Sequence, residues 1–206
     1  MKTIDRDNLP HLILCLQKIL KVKASTFFVR VNAWWWMVSL GSSCVFNGFS
    51  RFRRHPNSKI LIGDDCKFNS SPMSNYIGVN RPCILATLQE GAHIQIGSNS
   101  GFSGTVIGCA KEIIIGDHVM CGANTLITDT DWHSDDPRSG PDKPVIIEDG
   151  VWLGVNVTVL KGVTIGENTL VAAGSVVVDS LPADVVAGGV PARVLKQIDT
   201  NKKDSV

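Results

Sequence analysis

The sequence predicts an all-β fold, a parallel β-helix preceded by a short N-terminal helical cap. The first observation is a strict six-residue spacing of aliphatic residues in the C-terminal half, at Ile147, Leu153, Val159, Ile165, Val171, Val177 and Ala183. The second is that a small residue often follows them, as Gly154, Gly166 and Ala172 do. An α-helix repeats every 3.6 residues and a strand every two, so neither alone produces this period. A fixed six-residue step is typical of a parallel β-helix.

Three hexapeptides form each predicted coil, and successive coils stack at the spacing of paired strands, about 4.8 Å. We expect each aliphatic residue to point inward onto its counterpart one coil away, as with Ile147 on Ile165. The small residue beside it allows the backbone to turn a tight corner. The same spacing starts in weaker form near Ile62. The β-helix is therefore predicted over 41–188, with a C-terminal tail over 189–206.

A different pattern marks residues 1–40 as a separate N-terminal segment. Apolar residues at helical spacing over 9–20, with lysines nearby, indicate one amphipathic helix. Phe27, Phe28 and the tryptophan triplet at 34–36 follow it. We expect this segment to cap the open first coil, which a solenoid needs to stay soluble. The alternative is peripheral contact with a membrane surface.

Composition excludes several classes of function. The 20 Lys and Arg residues nearly balance the 19 Asp and Glu residues, so the net charge of +1 does not suggest a nucleic acid as partner. The six cysteines are scattered without a CxxC pair, which fits a reducing compartment. No apolar run approaches the roughly 20 residues of a membrane span. The N-terminus carries acids where a secretion signal has basic residues, so we expect a cytoplasmic protein.

The six-residue spacing breaks over an excursion loop predicted at 128–146. The flanking isoleucines lie 20 residues apart, which is not a multiple of six, and the segment is rich in Asp, Ser, Pro and Gly. His133 lies there among carboxylates and suits a general base, because imidazole accepts and returns a proton near neutral pH. Asp131 and Asp129 are the candidates to fix its tautomer. The alternative is a solvated polar turn.

The same loop fits a metal site poorly. Asp129 and Asp131 begin like a calcium-binding loop. However, Ser134 stands where that loop needs glycine, and Gly140 stands where it needs glutamate. No metal ligands are therefore predicted.

Two strings in the C-terminal half resemble a known family. VWLGVNVTVLKGVTIGENTLVAAGSVV at 151–177 and AGGVPARVL at 187–195 resemble the left-handed β-helix hexapeptide acetyltransferases. Within them, the chain is similar to the sugar and polysaccharide O-acetyltransferase branch, from near Ile60 to Leu195. The left hand of the coil is implied by this resemblance, since parallel crossovers are otherwise right-handed.

The resemblance implies a homotrimer with acetyl-CoA in the groove between neighbouring coils. The acetyl group would pass directly to a hydroxyl of a saccharide, a precursor of a surface polysaccharide, with His133 as the aligned base. Seven residues occupy positions where the family binds the cofactor: Trp152, Gly154, Val155, Ala172, Ala173, Val178 and Arg193. Trp152 would lie beside the thioester arm and Arg193 at the nucleotide phosphates. Val178 and Asp179 depart from the Thr-Lys pair that relatives often carry.

Alternatives remain open at this point. Trp152 can instead be a corner residue that covers apolar surface, and Lys161 is expected to be a solvated turn residue. Within the fold, the rival activity is acetylation of an amine on a nucleotide sugar or an antibiotic. The rival from another class is a non-catalytic β-helix that scaffolds partners.

Overall fold

The chain folds as a triangular parallel β-helix with a helix across its first coil. The computed structural model describes residues 9–133 and 135–199. Residues 1–8, Ser134 and 200–206 lie outside it, so the first part of the predicted N-terminal segment and the last part of the predicted tail lie outside the described residues. Helix α1 spans Leu9–Trp35. The strands are β1 Ser39–Leu40, β2 Val45–Asn47, β3 Arg51–Arg53, β4 Lys59–Ile62, β5 Lys67–Asn69, β6 Ile84–Thr87, β7 His93–Ile96, β8 Gly101–Ser103, β9 Val106–Cys109, β10 Glu112–Ile115, β11 Met120–Cys121, β12 Leu126–Thr128, β13 Val145–Ile147, β14 Trp152–Leu153, β15 Thr158–Val159, β16 Thr164–Ile165, β17 Leu170–Val171, β18 Val176–Val177, β19 Val185–Gly189 and β20 Ala192–Gln197.

The strands form three flat faces, and each coil contributes one strand to each face. The first face contains β1, β4, β7, β10, β13 and β16, and the third contains β3, β6, β9, β12, β15 and β18. The second face contains β2, β5, β8, β11, β14, β17, β19 and β20. The coils pair in parallel, whereas β19 and β20 form an antiparallel hairpin that closes the second face. Residues 192–197 of the predicted C-terminal tail are thus extended and continue this sheet.

The inward stacking expected from the repeat is present. Ile147 pairs with Ile165 in the strand register, and both side chains are fully buried. The prediction was wrong for Ala183, which is exposed. Leu181 takes the inward place and bridges to Ile165, because this coil advances 16 residues where the preceding one advances 18. The corner after Val177 is therefore two residues shorter than the repeat requires.

Aromatic side chains fill the first coils. Phe46, Phe68 and Phe102 stack along the inside of the second face, with successive ring centroids 4.9 and 5.0 Å apart. All three are fully buried. Such a stack follows from the parallel register, which places equivalent residues one strand spacing apart.

Helix α1 is longer than the predicted short cap and includes the aromatic residues through Trp35. Its residues Ser25, Val29 and Ala33 are buried and face the first coil. The Phe46 backbone N–H donates to Thr26 Oγ1 at 3.0 Å, which ties the helix to β2. The C-terminal half of α1 therefore covers the open end, whereas residues 9–21 are exposed. Within the described ranges, no helix is long and apolar enough to cross a membrane.

Two loops leave the coil. One spans 129–144 and is narrower than the predicted 128–146, because Thr128 and Val145 belong to β12 and β13. The other spans 70–83, between β5 and β6, and was not predicted as an excursion.

Candidate active site

The root of loop 129–144 is closed by a buried carboxylate. Asp129 accepts hydrogen bonds from the backbone N–H groups of Ala110, Lys111 and Glu112, each at 2.7 Å. The backbone N–H of Lys143 donates to the carbonyl of Asp129 at 3.0 Å, which joins the two ends of the loop. Asp129 is thus committed to the loop root and does not serve as the carboxylate expected to orient His133.

A free thiol lies beside this carboxylate. Cys109 is buried, and its Sγ donates to Asp129 Oδ2 at 3.4 Å. Burial, and then the negative charge of Asp129, raises the pKa of the Cys109 thiol. The thiol therefore stays protonated at neutral pH and acts as a weak hydrogen-bond donor.

Asp131 forms a clasp across the loop. Its carboxylate accepts from Lys161 Nζ at 2.6 Å and from the Gly140 backbone N–H at 3.2 Å. Lys161 also donates to the Gly140 carbonyl at 2.8 Å. The side chain of Lys161 is only 17% exposed, so the prediction of a solvated turn residue was wrong. Asp131 was expected to orient His133, whereas the structure directs its carboxylate to Lys161.

The clasp makes a testable prediction about protonation. The ammonium of Lys161 lowers the pKa of the Asp131 carboxyl below its ordinary value. A depressed folded-state pKa means that the clasp stabilises the loop above the ordinary carboxyl pKa and loses this contribution as pH falls through the depressed value. We expect Lys161→Met to return the pKa of Asp131 toward the ordinary range, as measured by carboxyl NMR titration. An unchanged pKa in this variant contradicts the clasp, and Lys67→Met is the matched control.

His133 lies at the tip of this anchored loop with its side chain exposed. Its carbonyl accepts from the Asp136 backbone N–H at 3.0 Å and from Ser139 Oγ, which fixes its backbone in a turn. The preceding Trp132 has a φ of 69°, a left-handed value that bulky residues seldom adopt. Its indole ring covers Gly108, where a Cβ would lie 2.4 Å from the ring. Loop 129–144 thus presents an accessible imidazole from a fixed backbone.

A groove of about 430 Å³ lies at another part of the solenoid. Five of the seven predicted cofactor positions line it together: Trp152, Gly154, Val155, Ala172 and Ala173. A Cβ at Gly154 would lie 2.6 Å from the backbone nitrogen of Ala173. Glycine is therefore required there by the close approach of the next coil, in addition to keeping the groove open. Small residues line the groove at these corners, and Trp152 and Leu170 add larger apolar side chains.

Val178 and Arg193 are absent from the lining of this groove. Arg193 is on β20, and its Nη1 donates to Asp179 Oδ2 at 2.8 Å. Both partners of this ion pair are more than half exposed, so it contributes little to stability. The guanidinium can therefore exchange Asp179 for another anion at small cost.

Sequence reasoning missed the contribution of loop 70–83. Asn75 and Ile77 from this loop line the same groove. The loop is fastened to the neighbouring coil by Asn124, whose Nδ2 donates to the Gly78 carbonyl at 2.8 Å and whose Oδ1 accepts from the Asn80 N–H at 3.1 Å. The available signal was the spacing of Phe68 and Leu85, which lie 17 residues apart, not a multiple of six, with a proline near each end of the loop.

The groove and His133 lie at different corners of the prism. The groove residues follow β11, β14 and β17, at the corner between the second and third faces. Loop 129–144 follows β12, at the corner between the third and first faces. The third face separates the two corners, so one copy of the chain does not bring His133 to its own groove.

Metal binding has no support within residues 9–133 and 135–199. No group of three or more His, Cys, Asp or Glu side chains in these ranges is placed to hold a metal ion.

Comparison with known proteins identifies the repeat. The family described as bacterial transferase hexapeptide (six repeats) matches residues 144–179, which form β13 to β18. The chain thus carries the hexapeptide repeat of this transferase family over that segment. The predicted fold, a left-handed parallel β-helix with an N-terminal helical cap, is confirmed, apart from the greater length of α1.

Hexapeptide-repeat proteins of several kinds resemble the chain. The galactoside O-acetyltransferase of Lactococcus lactis is 36% identical over 67% of this chain and 63% of its own length. The provisionally named lipopolysaccharide biosynthesis O-acetyl transferase WbbJ of Escherichia coli K12 is 36% identical over 47% of this chain and 56% of its own length. The chain thus spans less than two thirds of each. The structure of the N-acyltransferase AntD from Bacillus cereus, in complex with dTDP and coenzyme A, has a TM-score of 0.59 at 21% identity, covering 79% and 85% of the two chains, and supports the fold.

Proposed function

We propose that the chain is an acetyl-CoA-dependent O-acetyltransferase that acts, as a homotrimer in the cytoplasm, on a hydroxyl of a saccharide that is a precursor of a surface polysaccharide. The carrying observation is that Trp152, Gly154, Val155, Ala172 and Ala173 line one groove. The relatives named for galactoside and lipopolysaccharide O-acetyl transfer support the saccharide acceptor.

The groove fits one part of acetyl-CoA. The small residues Gly154, Ala172 and Ala173 leave room along the groove for a ligand, and Trp152 and Ile77 add apolar walls. Such a groove suits the pantetheine chain, which is long and thin. Arg193 lies on the same face beyond the groove and, released from Asp179, suits the nucleotide phosphates.

Assembly completes the proposed site. Because His133 and the groove emerge at different corners, a neighbouring copy has to supply one of them. A closed ring of three copies places the loop of each against the groove of the next, with the same contact repeated at every interface. The trimer is thus part of the proposed mechanism.

The chemistry is a direct transfer. His133 accepts the proton of the acceptor hydroxyl while the hydroxyl oxygen forms a bond to the carbonyl carbon of the thioester. The C–S bond then breaks, and the leaving thiolate takes the proton from the imidazolium. A positioned base contributes about 10²–10⁴-fold, and holding two substrates together supplies roughly 7–11 kcal/mol of the barrier reduction.

A thiol-release assay tests this function. We expect free CoA to accumulate from acetyl-CoA only when a saccharide with an available hydroxyl is present. Each acceptor is paired with its amino-sugar analogue. Release with the amino analogue alone contradicts O-acetylation and supports N-acetylation, and failure to bind either acetyl-CoA or CoA supports a non-catalytic scaffold.

The cofactor groove makes a separate prediction. Ala173 is exposed, so Ala173→Trp fills the groove without disturbing the core. We expect this variant to bind CoA at least tenfold more weakly by calorimetry, because the indole occupies the place of the pantetheine chain. Tyr76→Trp is a matched control, since Tyr76 is 82% exposed and lies outside the groove lining. Equal CoA affinity in the wild type and Ala173→Trp contradicts the placement.

A further inference from the structure

Charge is segregated along the chain, although the net charge is only +1. Residues 9–63 contain eight Lys and Arg residues and no Asp or Glu. Residues 64–206 contain ten basic and 17 acidic residues. Because residues 9–63 form α1 and the strands β1 to β4, the positive charge is concentrated at the capped end of the solenoid. The net charge hides this asymmetry.

Helix α1 carries an apolar stripe on the side that faces away from the solenoid. At 100° per residue, the stripe lies opposite the buried residues Ser25, Val29 and Ala33. Its members are Leu9, Ile13, Leu16, Leu20, Phe27, Val31 and Trp34, and each is 45–75% exposed. Large apolar side chains in such a continuous exposed row mark an interaction surface.

We propose that this outer stripe of α1 docks the capped end of the solenoid on an anionic membrane surface. The helix lies in the plane of the interface, with its inner side on the first coil and its outer side in the lipid headgroup region. Lys23 borders the stripe, whereas Lys18 and Lys21 lie toward the solenoid side and add to the positive charge of the capped end. This charge attracts negatively charged headgroups. Trp34 and Trp35, both about three quarters exposed, suit the boundary between headgroups and acyl chains.

The positive charge of the capped end favours a membrane over a second copy of α1 as the partner of the outer stripe. Two copies would bring together two capped ends that each carry eight basic residues over 9–63, and neither helix has a carboxylate to offset this charge. An anionic lipid surface complements the same charge. This inference does not depend on acetyl transfer, because the residues of α1 lie outside the groove and outside loop 129–144.

Vesicle flotation of the full chain tests the proposal, with vesicles of phosphatidylcholine alone or mixed with phosphatidylglycerol. We expect binding to the mixed vesicles only, and weaker binding at high salt. Replacing Lys18, Lys21 and Lys23 by Gln should weaken partitioning by at least about fivefold, since a cation beside an anionic bilayer contributes about that much and Lys23 borders the stripe. The double variant Leu16→Gln/Leu20→Gln should weaken it at least about tenfold, because both leucines leave the bilayer interface.

Matched controls distinguish the contribution of α1 from general effects of lost charge or lost apolar surface. Replacing Lys67, Lys111 and Lys196 by Gln makes the same charge change at exposed positions elsewhere, and Met120→Gln removes an exposed apolar side chain from the second face. Both should bind vesicles like the wild type. The proposal is overturned by a wild-type chain that floats with neither vesicle, or by controls that lose binding as much as the helix variants. Self-association that disappears in Leu16→Gln/Leu20→Gln, without vesicle binding, also overturns it in favour of a second copy.

Discussion

His133→Ala is expected to lose acceptor-dependent release of CoA by about 10²–10⁴-fold, the contribution of a positioned general base. A saccharide hydroxyl is hardly ionised at neutral pH, so the transfer slows sharply when no side chain accepts its proton. The affinity for CoA should stay nearly unchanged, because the proposed partner of the His133 imidazole is the acceptor hydroxyl and not the cofactor. Steady-state thiol release and calorimetry with CoA measure the two quantities separately.

The control for this variant is His11→Ala, which removes an exposed histidine from α1. It should keep full turnover. Full turnover in His133→Ala as well would contradict the base assignment, whereas joint loss of turnover and CoA affinity would assign His133 to binding.

Asp129→Ala is expected to destabilise the fold by about 2–5 kcal/mol, because one buried and two partly buried backbone N–H groups lose their acceptor at once. The loss falls at the root of loop 129–144, so acceptor-dependent turnover should fall as well. Denaturant unfolding, followed by circular dichroism, measures the change in the free energy of unfolding.

Asp135→Ala is the matched control, since Asp135 is an exposed aspartate of the same loop. A surface change of this kind stays within about 0.5 kcal/mol. Equal stability of the two variants would contradict the role of Asp129 as the loop anchor.

The regular part of the fold was predictable because it depends on local periodicity. The burial of Ile147, Leu153 and Ile165 follows from the six-residue spacing alone, and the loop after β12 follows from the interruption of that spacing. The error at Ala183 arose because the spacing carries no information about a shortened corner. Leu181 occupies the inward place as soon as the chain skips two residues.

The groove was predictable from the resemblance, whereas the setting of His133 was not. Small residues such as Gly154 and Ala172 occupy fixed places in the repeat, so their positions transfer to this chain. The partners of Asp129 and Asp131 depend on which backbone groups and which lysine the folded loop reaches. Hydrogen bonds between residues 17 to 30 positions apart leave no periodic signal in the sequence.

The N-terminal segment shows a different limit. The apolar spacing over 9–20 predicted a helix, but not that the helix continues through Trp35. The outward stripe can be recognised only once the structure shows which side of the helix packs on the solenoid. Averaging the charge over the whole chain concealed the basic end.

Subunit complementation tests most directly whether the loop of one copy meets the groove of the next. We expect His133→Ala and Ala173→Trp to be nearly inactive alone, and their co-expressed mixture to regain about a quarter of wild-type turnover. With equal amounts of the two chains, about three quarters of the trimers contain both variants, and each of these holds one intact site out of three. Activity in the mixture no higher than in either variant would contradict a site shared between copies.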